Sequence, residues 1–489
     1  MHPLKRLIAA LLAASLFASS ASAQTGLPDL GDSADATLSE QQERVIGKRV
    51  MMAIRSDRSF VEDPELTDYI ASLGSKLALA SDSPRGDLEF FMIQDDAINA
   101  FAMVGGFIGV NTGTLLASQS ESELAGVMGH EVAHILQRHQ ARMMAGQKGA
   151  ALMSLAGLAL AILAARSNNS TQAPEAAMAT VAGLQIQSQL DYTREYEREA
   201  DRLGFTILER AGFDVRGMAA FFERMQRANR HNDGKAPGYL RTHPLTTERI
   251  ADMQNRIVMQ PARSTQDSAD YLMAYAKLKA LQGTPADAID HFRAVIAEKT
   301  IRRTRADAYG LVLSLKRNRD FAQAEKELAA IRTAGGVNPW IERLAADIKS
   351  DQKRYKEALE IYAAGLKVFP NNRALFYGHA ETLLNADQTD AALSDLTDKL
   401  RRTPDDPRLY DLQARAFAAK NKQLAQHRAL AEAYYRRGNL IGAVEQLELA
   451  VKANDGDFYE KSGAEARMRA LKAEELEMRK DNKLDKKDR

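Results

Sequence analysis

Residues 120–141, with the sequence SESELAGVMGHEVAHILQRHQA, constrain the fold more than any other stretch of this chain. Ser120 and Glu123 form the S-x-x-E signature of a capping box, in which each side chain satisfies a free backbone N–H at a helix start. Apolar residues then recur every three or four positions, at Leu124, Val127, Met128, Val132, Ile135 and Leu136. This spacing predicts a single helix with one buried face that runs to Ala141.

The pattern H-E-x-x-H lies inside this helix, at His130, Glu131 and His134. The two imidazoles return to nearly the same side of the helix, about 6 Å apart along its axis, which suits two nitrogens that bind one Zn²⁺. Glu131 lies between them and is placed to act as a general base toward water. The motif also arises by chance, but the capped amphipathic helix favours a site for one zinc ion per chain. His139, five residues after His134, is predicted to lie on the surface.

Residues 191–204, DYTREYEREADRLG, offer the remaining ligands of such a site. Glu197 and Asp201 are four residues apart and therefore face the same side of a helix. A catalytic zinc commonly binds two histidines and one glutamate and keeps one position for water, so Glu197 is the predicted third ligand. Asp201 is placed to accept the N–H of a ligating histidine and to fix its tautomer. On the residues alone, Glu195 and Glu199 remain alternatives to Glu197, and so does a charged helix face in solvent.

The start of the chain has the pattern of a secretory signal peptide, residues 1–23. Lys5 and Arg6 precede an apolar run over residues 7–18, and Ala21-Ser22-Ala23 forms a cleavage site of the small-x-small type. Residues 24–37 are rich in Gly, Ser, Asp and Pro and predict a flexible leader. We therefore expect an exported protein in a bacterial periplasm.

Composition narrows the classes of partner and cofactor. The chain has 66 basic and 65 acidic residues, which gives no reason to expect a nucleic-acid partner. It has no cysteine, which excludes disulfides, thiolate zinc ligands and a lipid-modified N-terminal cysteine. A length of 489 residues predicts two or three domains.

Short apolar runs precede the metal helix. Residues 88–93 predict a strand, and residues 99–102 and 105–110 predict two more. These strands before the metal helix resemble the small sheet of zinc peptidases, in which an edge strand can hold an extended substrate through main-chain hydrogen bonds. A plain hairpin is the alternative. Residues 149–165 are uncharged and apolar. They predict a helix that packs on the domain or touches a membrane surface, with a transmembrane helix at the lower length limit as the alternative.

The paired motifs H-E-V-A-H at 130–134 and E-R-E-A-D at 197–201 resemble those of the zinc peptidases related to the CaaX prenyl endopeptidase, HExxH and ExxAD. This resemblance covers about residues 38–255. It implies that Glu197 is the third zinc ligand, that Asp201 supports the site, and that residues 38–260 form a gluzincin-like zinc peptidase domain. Many members of this family are integral membrane enzymes, whereas the signal peptide and the single apolar segment here imply a soluble periplasmic member.

His243 lies in the sequence R-T-H-P-L at 241–245. A histidine on a turn before proline is more typical of an exposed residue than of a functional one. In exported relatives, however, a histidine in a similar T-H-P context lies beside the metal. The resemblance therefore implies that His243 either occupies the fourth coordination position and keeps the enzyme latent, or stabilises the developing oxyanion.

The C-terminal half carries a repeat in place of this chemistry. A small residue followed four positions later by a large apolar one recurs at Ala288/Phe292, Ala324/Leu328, Ala358/Tyr362, Ala392/Leu396 and Ala443/Leu447. The alanines are 36, 34, 34 and 51 residues apart (288, 324, 358, 392, 443), which resembles tetratricopeptide repeats and predicts a solenoid over residues 270–470. The step of 51 predicts a degenerate or interrupted repeat around 407–426. An irregular helical domain is the alternative, and residues 474–489 predict a charged tail.

The predicted fold class is therefore α+β, mostly α: a zinc peptidase domain with a small β-sheet, followed by a helical repeat solenoid. This combination resembles that of exported zinc peptidases with such repeats, and the resemblance implies a role in the quality control of outer-membrane proteins. The resemblance implies unfolded or stalled outer-membrane proteins as substrates and the barrel assembly machinery as a partner of the repeats. It also implies a periplasmic location. Association with the outer membrane is a further expectation. A chaperone-like assembly factor or a repeat scaffold with a latent zinc site is the alternative.

Overall fold

The computed structural model describes residues 38–145, 194–230, 238–258, 265–298 and 304–487. The predicted signal peptide, the leader and the apolar segment 149–165 lie outside the described residues. Within the described ranges, no helix is both long enough and apolar enough to cross a bilayer.

The N-terminal half consists of a small sheet and of helices that precede and follow its strands in the sequence. It begins with α1 (Glu40–Ser56) and α2 (Pro64–Leu79), followed by β1 (Glu89–Ile93), β2 (Ala100–Met103) and β3 (Phe107–Asn111). The helices that follow are α3 (Thr112–Ala117), α4 (Glu121–Leu136), α5 (His139–Ala145), α6 (Arg194–Arg210), α7 (Arg216–Arg230), α8 (Gly238–Thr242) and α9 (Thr247–Val258).

The three strands form one sheet in the order β1–β3–β2, with β1 parallel and β2 antiparallel to β3. The three predicted strands are present, the second and third pair as a hairpin within the larger sheet, and β2 lies at an edge of the sheet. The N–H of Asn111 donates to the carbonyl of Asn99 at 2.9 Å. Since hydrogen-bonded pairs alternate along an antiparallel ladder, Phe101 pairs with β3, whereas the main-chain groups of Ala100 and Ala102 face outward.

Helix α4 lies at the buried centre of the N-terminal half. The side chain of Ser120 caps the helix as predicted, by accepting the N–H of Glu123 at 3.3 Å. The reciprocal half of the predicted capping box is wrong, because the Glu123 carboxylate accepts the N–H of Gln119 at 2.7 Å and not that of Ser120. Helix α6 crosses α4 closely at Gly204, where an added Cβ would lie 3.1 Å from the backbone nitrogen of His130. This close approach brings the E-R-E-A-D segment against the H-E-V-A-H segment.

The prediction of one continuous helix to Ala141 is wrong at its C-terminal end. Helix α4 ends at Leu136, and Arg138 adopts a φ of 50°, a left-handed conformation that interrupts the helix. The guanidinium of Arg138 fixes this turn by pairing with Glu43 at 2.7 Å and donating to the carbonyl of Leu38 at 2.7 Å. A separate helix, α5, therefore begins at His139.

The C-terminal half is a series of consecutive helices. These are α10 (Ala269–Leu281), α11 (Pro285–Ala297), α12 (Thr304–Arg317), α13 (Phe321–Thr333), α14 (Pro339–Asp351), α15 (Tyr355–Val368), α16 (Arg373–Asn385), α17 (Thr389–Arg402), α18 (Pro407–Ala419), α19 (Gln423–Arg436), α20 (Leu440–Lys452) and α21 (Phe458–Lys487). The fold is therefore α+β with helix predominating. Helix α21 continues through most of the segment predicted to be a charged tail.

The repeat is more regular in the backbone than in the sequence. Four residues with positive φ lie 34 positions apart, each at a turn between two helices: Arg319, Lys353, Asp387 and Asn421. The predicted interruption around 407–426 is therefore absent from the backbone, because α18 and α19 form a helix pair around Asn421. That repeat is degenerate only in sequence, since Gln426 stands 34 residues after Ala392, where a small residue is expected.

Buried polar contacts join the repeats to the N-terminal half. The ammonium of Lys277 on α10 lies 2.6 Å from Asp63 and also pairs with Glu65 at the start of α2. The hydroxyl of Tyr271 donates to the carbonyl of Ser118 at 3.1 Å, just before α4. The first repeat helix is thus anchored beside the helix that carries the candidate site.

Candidate metal centre

Four side chains converge at the centre of the N-terminal half. One ligand atom from each of His130, His134, Glu197 and His243 lies within 4.8 Å of all the others. The Nε2 atoms of His130 and His134 are 3.0 Å apart, and Nδ1 of His243 lies 2.9 Å from Oε1 of Glu197. None of these four residues is more than 1% exposed. Three imidazoles and one carboxylate form a donor set that suits a transition metal such as zinc.

Glu197 is the glutamate of α6 that joins this cluster. Its two carboxylate oxygens lie 3.5 Å from Nε2 of His130 and 3.5 Å from Nε2 of His134. Of the two alternatives from the sequence, Glu195 is exposed, and Glu199 pairs with His139 at 3.1 Å.

The electrostatics of the site favour a bound cation. Burial alone would lower the pKa of His130, but the hydrogen bonds that His130 donates to Asp201 and Glu197 outweigh it and raise that pKa to about 9. Burial would raise the pKa of Glu197, but the surrounding histidines hold it well below its ordinary value. For His134, burial dominates and keeps the pKa well below its usual range. The ionised carboxylate of Glu197 and the neutral imidazole of His134 are the forms that bind a metal. The raised pKa of His130 shows that the neighbouring carboxylates favour a positive charge at this place.

Asp201 lies behind His130, with Oδ1 at 3.0 Å from the histidine Nδ1. This is the contact that the sequence predicts for the aspartate one turn after Glu197. The same carboxylate accepts two hydrogen bonds from Arg249, at 2.6 and 2.7 Å.

Arg249 was missed by the sequence reasoning. It lies on α9, is 2% exposed, and also reaches Oε2 of Glu197 at 2.7 Å. Its only signal in the sequence is its position six residues after His243. A buried arginine needs carboxylate partners, and Asp201 and Glu197 provide them.

His139 is also part of the site, and its predicted surface position is wrong. It is fully buried, its Nδ1 lies 2.8 Å from Nδ1 of His134, and its Nε2 lies 3.1 Å from Glu199. Its ring stacks on Tyr196 with centroids 4.7 Å apart. The error follows from the assumption of a continuous helix, because the turn at Arg138 redirects His139 toward the cluster.

Glu131 lies beside the cluster and is completely buried. One carboxylate oxygen accepts the N–H of Ala102 on the outer edge of β2, at 2.9 Å. The other oxygen accepts no hydrogen bond from the described residues and lies 3.5 Å from Nε2 of His243. Burial raises the pKa of this carboxyl. A buried carboxylate with one unpaired oxygen beside a metal cluster is suited to accept a proton from water.

His243 lies directly after the short helix α8. Its N–H donates to the carbonyl of Tyr239 at 2.8 Å, and the two rings stack with centroids 4.7 Å apart. Its Nδ1 lies 3.4 Å from Nε2 of His130. The expectation from its turn context alone, an exposed histidine, is wrong.

Comparison with known proteins agrees with this geometry. The family model for peptidase family M48 matches residues 64–257, which include every residue of the cluster. A beta-barrel assembly-enhancing protease of Escherichia coli is 34% identical over 459 residues, which cover 91% of this chain and 92% of that protein. The chain belongs to peptidase family M48. It is therefore a metallopeptidase.

Three further comparisons show how far this M48 peptidase resembles its relatives. A beta-barrel assembly-enhancing protease of Yersinia pestis is 31% identical over 87% of both chains. The mitochondrial metalloendopeptidase OMA1 of Schizosaccharomyces pombe is 27% identical over 218 residues, or 44% of this chain. A tetratricopeptide repeat model matches residues 350–416, within the helical half. The similarity to the bacterial relatives therefore extends over both halves of the chain.

Proposed function

We propose that this M48 peptidase is a periplasmic zinc-dependent endopeptidase that acts in the quality control and assembly of outer-membrane β-barrel proteins. The observation that carries the proposal is the convergence of His130, His134 and Glu197 in one buried cluster beside the half-paired carboxylate of Glu131. The periplasmic location is supported by the predicted signal peptide. The substrate class is supported by the names of the Escherichia coli and Yersinia pestis relatives.

In the proposed mechanism, His130, His134 and Glu197 hold one zinc ion, which supplies Lewis-acid polarisation of the scissile carbonyl. Glu131 accepts a proton from the attacking water through its unpaired oxygen and returns that proton to the leaving amine. Its other oxygen is held by the N–H of Ala102, so that the base keeps a fixed orientation.

Supporting residues fix the ligands from behind. Asp201 orients His130 by accepting its Nδ1–H, and Arg249 compensates the charge of the buried Asp201. The outward-facing main-chain groups of β2 are the proposed substrate site, where an extended segment adds a strand to the sheet.

The helical repeats are proposed to bind the partner. Tetratricopeptide arrays present concave surfaces to other proteins, and the match to such a repeat lies in this half of the chain. Unfolded or stalled outer-membrane proteins and the barrel assembly machinery are the proposed occupants of this surface.

One observation favours a second candidate function. His243 adds a fourth donor to the cluster, and all four donors are buried. A cluster closed in this way is also typical of a structural zinc site, which would make the protein a chaperone-like assembly factor with a latent centre.

A comparison of three proteins separates the two functions. The mature protein, Glu131→Gln and His243→Ala are measured for zinc per chain, thermal stability and cleavage of casein. The proposed peptidase contains one zinc per chain in all three, and Glu131→Gln abolishes cleavage without loss of zinc.

A mature protein and a His243→Ala variant that bind zinc but never cleave would favour the assembly factor. An increase in rate for His243→Ala identifies a latch, whereas an inactive but metallated variant identifies transition-state stabilisation.

A further inference from the structure

The outer edge of β2 is already occupied by two side chains of the same molecule. Ala102 faces outward from the sheet, its N–H is held by Glu131, and its carbonyl accepts a hydrogen bond from the side-chain amide of Gln140. The Gln140 side chain is almost completely buried. An extended peptide that pairs with this edge would bring its own main-chain N–H to the same carbonyl, because strand addition uses these outward-facing groups.

The backbone around Gln140 presets this contact. Arg138, in its left-handed conformation, is fixed by Glu43 and by the carbonyl of Leu38. The next residue, His139, is held between His134 and Glu199. Gln140 therefore starts from a fixed backbone position, and only its side chain has to rotate to release the carbonyl of Ala102.

We propose that Gln140 is an internal competitor for the substrate: its side-chain amide occupies the place of a substrate main-chain N–H on Ala102 and sets the affinity of the peptidase for extended polypeptides. This inference rests on the proposed substrate site at β2. When substrate binds, the Ala102 carbonyl loses the hydrogen bond from Gln140 and gains one from the substrate main chain. The net affinity for substrate is therefore lower than it would be if this carbonyl accepted no hydrogen bond beforehand. Polypeptides that bind this edge only weakly therefore do not displace Gln140. A substrate that is also bound by the repeats displaces it more readily, because its local concentration at the edge is higher.

A purely structural role for Gln140 predicts the opposite behaviour. A buried amide that only anchors α5 to the sheet would, when removed, lower the stability and leave peptide affinity unchanged or weakened. The competitor predicts tighter binding from the same substitution. The two roles are therefore separated by the sign of the change in affinity.

The test uses Gln140→Met, which keeps the length of the side chain but removes its donor, in a zinc-loaded Glu131→Gln background that does not cleave. The Kd for fluorescein-labelled β-casein, an unfolded polypeptide, is measured by fluorescence anisotropy. We expect the Kd to fall about fivefold, the factor that one hydrogen bond of typical net strength contributes. In the cleaving enzyme, KM is expected to fall by a similar factor.

Two further variants complete the experiment. Gln140→Leu also lacks the donor and is expected to tighten binding, so a folding defect in one variant does not decide the result. Gln137→Met is the matched control, because Gln137 makes no side-chain hydrogen bond among the described residues, and its Kd should equal that of the background protein. An unchanged or higher Kd for both Gln140 variants overturns the proposal. Loss of zinc or of casein cleavage in the mature protein would instead overturn the proposed function.

Discussion

Arg249 and Asp201 form a two-pronged ion pair behind the metal cluster, with Nε–Oδ2 at 2.6 Å and Nη2–Oδ1 at 2.7 Å. The remaining nitrogen of the guanidinium reaches Oε2 of Glu197 at 2.7 Å. One cation therefore compensates two buried carboxylates, one of which is a proposed ligand. Burial would raise the pKa of both carboxyls. Hydrogen bonds from Arg249 and His130 hold the pKa of Asp201 below its ordinary value, and the surrounding histidines do the same for Glu197.

Arg249→Met should weaken both the fold and the metal site. It removes the guanidinium that pairs with the buried carboxylates of Asp201 and Glu197, and breaking a buried ion pair from one side typically costs about 3–5 kcal/mol. We also expect zinc affinity to fall by about ten- to a hundredfold, as is usual when a supporting contact is lost. Urea unfolding and competition with a chelator measure the two effects. Arg249→Lys keeps the charge but not the two-pronged geometry, so its stability and zinc affinity should lie between those of the unsubstituted protein and Arg249→Met. Equal zinc affinity in all three proteins would contradict this role.

His139→Phe tests whether the second histidine supports the first. The substitution keeps the ring against Tyr196 but removes the contact between His139 and His134. We expect zinc to bind about tenfold more weakly, with a smaller change in the stability of the metal-free protein. The control is His291→Phe, at an exposed histidine of the repeats. If His139→Phe binds zinc as well as this control does, His139 contributes only packing.

Much of the site could be predicted from the sequence because helical spacing is local. His130 and His134 are four residues apart, and so are Glu197 and Asp201, so that one helix geometry fixes each pair. The contacts of His139 and Gln140 depend on the left-handed conformation of Arg138. This conformation could not be predicted, because the sequence has no glycine at that position. Arg249 joins the site only through tertiary packing, which periodicity does not report. The sequence pattern does not show the helix pair α18 and α19 for a similar reason. The turn at Asn421 is kept in the backbone, although Gln426 replaces the small residue on which the pattern depends.

Gly204→Ala should disturb the metal site through helix packing alone. The added Cβ would lie 3.1 Å from the backbone of His130, closer than ordinary contact, so that α6 must move away from α4. We expect a loss of about 1–3 kcal/mol, typical of overpacking, together with weaker zinc binding. Gly463→Ala on α21 is the matched control, because a Cβ there meets nothing within 4 Å. It should be neutral or stabilising by up to about 1 kcal/mol. Equal effects of the two substitutions would show that helix propensity, and not the close approach of α4 and α6, decides the outcome.

Lys277→Met should loosen the junction between the repeats and the N-terminal half. The ammonium is 10% exposed and pairs with both Asp63 and Glu65, of which Glu65 is the more deeply buried. Its removal leaves a buried carboxylate unpaired, at a cost of about 3–5 kcal/mol. The double variant Lys277→Met, Glu65→Met should recover most of this loss, because two apolar side chains can replace a buried ion pair. Lys420→Met, which breaks a pair with the largely exposed Asp390, should cost less than about 1 kcal/mol. Chemical denaturation of the four proteins tests the ranking, and a double variant as unstable as Lys277→Met would show that the ammonium also serves contacts other than Glu65.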